Sequence, residues 1–148
     1  MSTLAPARSL LLDYDYTLGA AELTPVHQFG DWWAKREDLA AFTGPDAPSG
    51  SKVRQYTAMA ARTPGAPMVV GCSANSAMQV YVAAAARAAG VRGVVYVPAR
   101  RQRTAATQYA LDRGADVVEV RPGYLSVCRA RARAAAPPHG AVVRWAPV

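Results

Sequence analysis

The chain has 148 residues, 51% of them hydrophobic and 18% charged, and a formal net charge of +7. That length suits one domain with a core, and that apolar share excludes a disordered chain. No apolar run reaches the ~18 residues of a membrane helix, Met1–Asp13 holds no secretory-type apolar stretch, and the widely separated Cys72 and Cys128 form neither a metal knuckle nor a disulfide framework. The expectation is a cytoplasmic protein with no membrane contact and with both thiols reduced and packed as small apolar side chains.

Arginine outnumbers lysine 15 to 2, and alanine fills about a fifth of the chain. Residues 87–148 carry 11 arginines against Asp112, Asp116 and Glu119, whereas residues 1–86 are nearly neutral. Arginine-biased coding and solvated helix faces account for this lopsidedness. A nucleic acid or another acidic partner is the functional alternative, with Arg100, Arg101 and Arg103 as loop-borne contacts.

In chain order, Ser9–Leu12 is a short apolar run, followed by Asp13-Tyr14-Asp15-Tyr16. On a strand the two aspartates would share one face, as in a phosphatase-type carboxylate pair, but the pattern is short and common. Residues 25–68 are rich in glycine and proline. Within them Asp31–Leu39 reads as a strand and Lys52–Arg62 as a helix that starts near Ser51 and stops before Pro64. From Met68 the rhythm is regular. Strands are expected at Met68–Gly71, Val94–Val97, Val117–Val120 and Ala141–Trp145. Helices are expected at Asn75–Ala89, Thr104–Arg113 and Tyr124–Ala136, the first ended by Gly90 and the second followed by Gly114. Strands too apolar to face water, alternating with helices, predict a parallel sheet covered on both faces. The fold expected is α/β: a three-layer αβα small domain with about four parallel strands over residues 51–148, after a partly irregular segment over residues 1–50. Tyr96, Tyr109 and Tyr124 are expected to be packing residues.

Three stretches carry chemistry: Lys35-Arg36-Glu37-Asp38-Leu39, Gly50-Ser51-Lys52-Val53-Arg54, and Gly71-Cys72-Ser73-Ala74-Asn75-Ser76 at a strand-to-helix turn. By residue type alone, Lys52 reads as a surface lysine, Asn75 as a helix N-cap and Gln79 as a surface glutamine. Lys35 and Glu37 read as structural, and nothing in the chain has metal-ligand spacing.

Together with Thr24-Pro25, these stretches resemble the fold-type-II pyridoxal-phosphate enzymes, the tryptophan synthase β superfamily. The threonine synthase, threonine dehydratase and aminocyclopropane-carboxylate deaminase/D-cysteine desulfhydrase branches are the most similar. The family reads Thr-Pro, a Lys-Arg-Glu-Asp-Leu-like strand, Gly/Ser-x-Lys-x-Arg with the Schiff-base lysine, then Ser-Gly-Asn or Ser-Asn at a helix start. Arg113-Gly114-Ala115-Asp116-Val117 is similar to the family's Leu-Gly-Ala-Glu-Val. The resemblance spans about residues 24–146 and implies pyridoxal 5'-phosphate as cofactor, with Lys52 as its Schiff-base lysine. Arg54 would be a cationic neighbour of that amine. Asn75 would donate to the ring oxygen. Ser73, Ala74, Ser76 and the nearby N–H groups would grip the carboxylate of a small amino-acid substrate, with Gln79 lining the same pocket. Ala74 stands where the family usually has glycine. The implied reaction is β- or γ-elimination, replacement or deamination.

The resemblance also implies that residues 1–50 are a fragment of the family's large domain, whose glycine-rich phosphate loop has no counterpart here. Three arrangements remain open. The chain belongs to a hetero-complex whose second polypeptide supplies the missing half, and binds the cofactor weakly or not at all alone. Or it is an inactive remnant with a binding or structural role. Or it uses the αβα domain otherwise, on nucleic acid through its basic half. Apolar surface left by a lone half predicts a homo-oligomer or hetero-complex, with Trp32, Trp33 and Trp145 contributing.

Overall fold

In the computed structural model, residues 24–42 and 47–136 and the backbone of Ala141 and Val142 are described. Ser9–Leu12, Asp13, Asp15 and Trp145 lie outside the described residues. Two strands, β1 (Val26–Phe29) and β2 (Trp32–Lys35), pair antiparallel with Phe29 opposite Trp32. Gly30 at φ 59° turns the hairpin, a left-handed backbone that glycine adopts without strain. The strand expected over Asp31–Leu39 is therefore shorter. The Arg36 guanidinium doubles back onto Asp38 at 2.6 Å, and Glu37–Leu39 closes into a 3-10 turn instead of extending.

Helix α1 (Lys52–Arg62) follows, with the bounds the sequence predicts. Then come β3 (Met68–Gly71), α2 (Met78–Ala88), β4 (Gly93–Pro98), α3 (Ala105–Asp112), β5 (Asp116–Val120), α4 (Leu125–Ala135) and β6 (Ala141–Val142). The four later strands form one parallel sheet in the order β5-β4-β3-β6. Because side chains alternate along a strand, the sheet has two distinct faces. Val70, Val95 and Val97 join Tyr56 of α1, Val82, Ala83, Ala85 and Ala86 of α2, and Ala110 of α3 in the larger core. Val69 and Val94 face the other way and meet Ala132 of α4. The layers are thus three helices, the sheet, and one helix.

Alanine carries the close packing. Ala83–Ala86 of α2 are buried, and a Cβ at Gly93 would lie 3.1 Å from the Ala86 Cβ. Gly90 (φ 65°) follows α2 and Gly114 (φ 79°) follows α3, as expected of glycines past a helix end. Cys72 and Cys128 are buried free thiols. Tyr124 is not a packing residue: it precedes α4, away from the sheet-facing stripe, and is 86% exposed. Among the described residues, no helix is long and apolar enough to cross a membrane.

The strand order fixes where a ligand can sit. From β3 the chain crosses through α2 to β4 on one side, while β6 lies on the other side of β3 and is reached through α4 on the opposite face. Such a reversal leaves a crevice outside the carboxyl ends of the strands, the usual ligand position in open α/β sheets. The segment that leaves β3 at this point is Cys72–Ala77.

Candidate functional site

Sequence periodicity starts α2 at Asn75, but the helix begins at Met78. Ser73–Ala77 instead forms consecutive turns, with the Ser76 N–H donating to the Ser73 carbonyl at 3.0 Å. The Ser76 hydroxyl accepts from the Met78 N–H at 3.2 Å. Asn75 is therefore not the helix cap; it is an exposed residue of the loop, beside exposed Ser73 and half-buried Ser76. Ala74 is buried beneath them at 2% exposure.

Gln79 is not on the surface. It is 0% exposed, and its amide reaches back under the loop. Its Nε2 donates to the Ala74 carbonyl at 2.7 Å and lies 3.3 Å from the Ser73 carbonyl. Its Oε1 accepts from the Thr107 hydroxyl at 2.9 Å. Thr104 caps α3 by accepting from the Thr107 N–H at 3.2 Å, and donates its own proton to the Ala74 carbonyl at 2.6 Å. Each hydroxyl has one proton, and both are spent in this way, so the donor directions are fixed throughout.

The peptide geometry follows. In a trans peptide the C=O and N–H point in opposite directions. With the Ser73 and Ala74 carbonyls drawn inward, the N–H groups of Ala74 and Asn75 point outward. Neither has a partner among the described residues. Ala74 is 2% exposed and Asn75 is exposed, so of the two it is the Asn75 N–H that is open to an anion such as a carboxylate.

The Lys52 segment is tied to the same end of the domain. Tyr81, in the second turn of α2, donates its phenol proton to the Ser49 carbonyl at 2.5 Å. A Cβ at Gly50 would meet that phenol oxygen at 3.2 Å, and Gly50 itself holds φ 116°. The Tyr81 ring stacks on Tyr56 of α1 with centroids 5.7 Å apart. Lys52 is the first residue of α1 and is half-buried. The Val53 N–H donates to the Gly50 carbonyl at 3.0 Å, so this helix start is closed by the glycine turn, and Ser51 makes no side-chain cap. Tyr81 has no motif signal in the sequence; its spacing from Tyr56 becomes meaningful once the two helices are placed side by side.

Arg54, expected beside Lys52, reaches Glu37 at 3.5 Å. Glu37 also pairs with Lys35 and accepts from Thr24 at 3.2 Å. The Lys35 ammonium foremost, then Arg54, hold the Glu37 carboxyl below its ordinary range. One oxygen of Glu37 and one nitrogen of Arg54 are nonetheless buried without a partner among the described residues. This cluster joins the hairpin to the helix that carries Lys52. Elsewhere, Arg92 pairs with Asp116, and Arg103 with Glu119 at 3.2 Å. No group of three metal-ligating side chains occurs among the described residues.

Comparison with known proteins gives one point of contact. No family model matches the chain. No curated protein matches it. A solved structure does: a fungal L-serine ammonia-lyase from Rhizomucor miehei, at 21% sequence identity and a TM-score of 0.57. The match covers 85% of this chain and 40% of that one. The chain therefore shares the fold of that part of the lyase and spans 40% of its length.

Proposed function

We propose that this chain is the lysine-bearing part of a pyridoxal-phosphate enzyme that releases ammonia from a small hydroxy amino acid. The observation that supports this reading is the Ser73–Ser76 loop at the carboxyl end of β3, where the Ala74 carbonyl is held by Gln79 and Thr104 and the N–H of exposed Asn75 has no partner among the described residues. The family resemblance of the same residues supports it, as does the fold shared with a serine ammonia-lyase.

The donor set fits the aldehyde end of the cofactor and the carboxylate end of a substrate. Lys52 would hold the cofactor through its amine, and the Asn75 amide would donate to the ring oxygen. When bound, pyridoxal phosphate supplies the electron sink for the bond that breaks beside the substrate amino group. The rest falls to the protein. The Asn75 N–H would bind the carboxylate, the exposed Ser73 hydroxyl would add a donor, and Ser76 accepts from Met78 to shape the turn. The Lys52 amine would serve as the base for the α-proton.

A phosphate group needs N–H donors or cations, and the described residues offer no glycine-rich cradle for it. We assign that part to a second polypeptide, docked on the hairpin where Trp32 is 81% and Trp33 67% exposed. The cytoplasm, which keeps Cys72 and Cys128 reduced, is the compartment this reading needs.

Borohydride reduction in the presence of pyridoxal phosphate, followed by peptide mapping, tests the reading. The label is expected on Lys52, lost in Lys52→Ala and kept in Lys35→Ala, and stronger when the product of the adjacent reading frame is added. Equal labelling of both lysines, or no labelling with that polypeptide present, would overturn it.

A further inference from the structure

The buried polar residues behind the loop are unexplained by packing alone. Gln79 and Thr107 are 0% and 3% exposed, in a core made mostly of valine, alanine and methionine, with Tyr56 and Cys72. Burying an amide and a hydroxyl costs stability unless every polar atom is bonded, and an apolar pair of the same shape would serve a core as well. Here the bonding is directed. Two donors from different helices, Gln79 Nε2 and Thr104 Oγ1, converge on one acceptor, the Ala74 carbonyl, at 2.7 and 2.6 Å. Thr107 holds the Gln79 amide in the orientation that presents nitrogen, not oxygen, to the loop.

We propose that Gln79, Thr104 and Thr107 are positioning residues that set the direction of the Ala74–Asn75 peptide plane, and thereby aim the Asn75 N–H group at the ligand. The proposal rests on the reading of this loop as a carboxylate site. Thr104 lies 30 positions from Ala74, so α3 acts on a site that it does not itself line. Its usual role of capping its own helix uses its lone pair, and its proton goes to the loop. Without these donors the Ala74 carbonyl loses both of its inward partners, whereas the Ser73 carbonyl keeps the Ser76 N–H, so it is the Ala74–Asn75 peptide that is released to turn.

Residual dipolar couplings of the Ala74 and Asn75 N–H bonds, measured on the full chain without ligand, read the direction itself. Gln79→Met and Thr104→Val each remove one donor at similar volume. Both are expected to change the Asn75 coupling while those of Val82–Ala86 in α2 stay as in the wild type; Thr104→Ser is expected to restore it. The same samples are then titrated with acetate as a bare carboxylate. The wild type and Thr104→Ser should show a saturable shift of the Asn75 amide, and the two donor-deleted variants a tenfold or greater loss of affinity. Unchanged loop couplings in both Gln79→Met and Thr104→Val would overturn the positioning role. Wild-type couplings as expected but no response to acetate would instead sink the carboxylate reading, and leave the positioning role supported. Where Gln79→Met does not fold, Thr104→Val, whose side chain is only half-buried, decides the matter.

Discussion

Gly71 and Cys128 meet backbone to backbone: a Cβ built on Gly71 would lie 2.3 Å from the Cys128 carbonyl oxygen and 2.7 Å from the Arg129 Cα. This contact sets α4 directly on the carboxyl end of β3, one residue before the loop that carries Ser73, Ala74 and Asn75.

Gly71→Ala is therefore expected to destabilise the protein. The clash is with backbone on α4, not with a flexible side chain, so the helix must move off the strand. Overpacking of this kind costs about 1–3 kcal/mol. Urea unfolding should show the midpoint fall with little change of slope. Gly123→Ala, where an added Cβ comes no closer than 3.6 Å to the Val127 side chain, is the control and should change little.

The Glu37 cluster gives a pH dependence. The pairing with Lys35, then the charge of Arg54, lowers the Glu37 pKa from the ordinary 4.5. A depressed folded-state pKa contributes stability above the unfolded value, and that contribution is lost as pH falls through the folded one. The link between the hairpin and α1 should thus hold at neutral pH and loosen below about pH 4. In a Trp145→Phe background the hairpin tryptophans Trp32 and Trp33 report it by fluorescence. A transition below pH 4.5 is expected in that background and in Asp38→Asn, and none in Glu37→Gln. A transition that persists in Glu37→Gln would show that another carboxyl holds the hairpin.

Both cysteines should be inert in the native protein. Burial pushes the Cys72 thiol up to about 12, with Cys128 nearby adding to the effect. Burial raises Cys128 as well. Raised thiol pKa values leave almost no thiolate at pH 8, and the thiolate is the nucleophile. Alkylation at pH 8 followed by mass spectrometry should find both unmodified until denaturant is added, and then both modified together. Modification of Cys128 alone under native conditions would mean that α4 opens independently of the rest.

Much of the αβα frame is legible in the sequence. Lys52–Arg62 and Met68–Gly71 have the predicted bounds, and Gly93–Pro98, Ala105–Asp112, Asp116–Val120 and Leu125–Ala135 fall within a residue of theirs. That is because the central strands Met68–Gly71 and Gly93–Pro98, buried on both faces, must be apolar along their length, whereas the edge strand Asp116–Val120 is largely exposed, and a glycine past a helix end takes the left-handed conformation at no cost. Lys52, Ser73, Ala74, Asn75 and Ser76 are singled out by residue type and spacing, which are local; their roles belong to the proposed function. The sequence could not show that α2 begins at Met78 and leaves Asn75 in a loop, because the turn depends on partners from other helices. Nor could it show that Gln79 is buried. Its spacing and polarity are those of a surface glutamine until Thr107 and the Ala74 carbonyl are brought to it, and contacts 28 and 30 positions apart in the chain leave no periodic trace. The sequence by itself determined most of the strands and helices from Lys52 onward, but not the hairpin strand Val26–Phe29. Tertiary packing alone decided which way the loop peptides face, because a peptide's direction is set by the donors that its carbonyl meets.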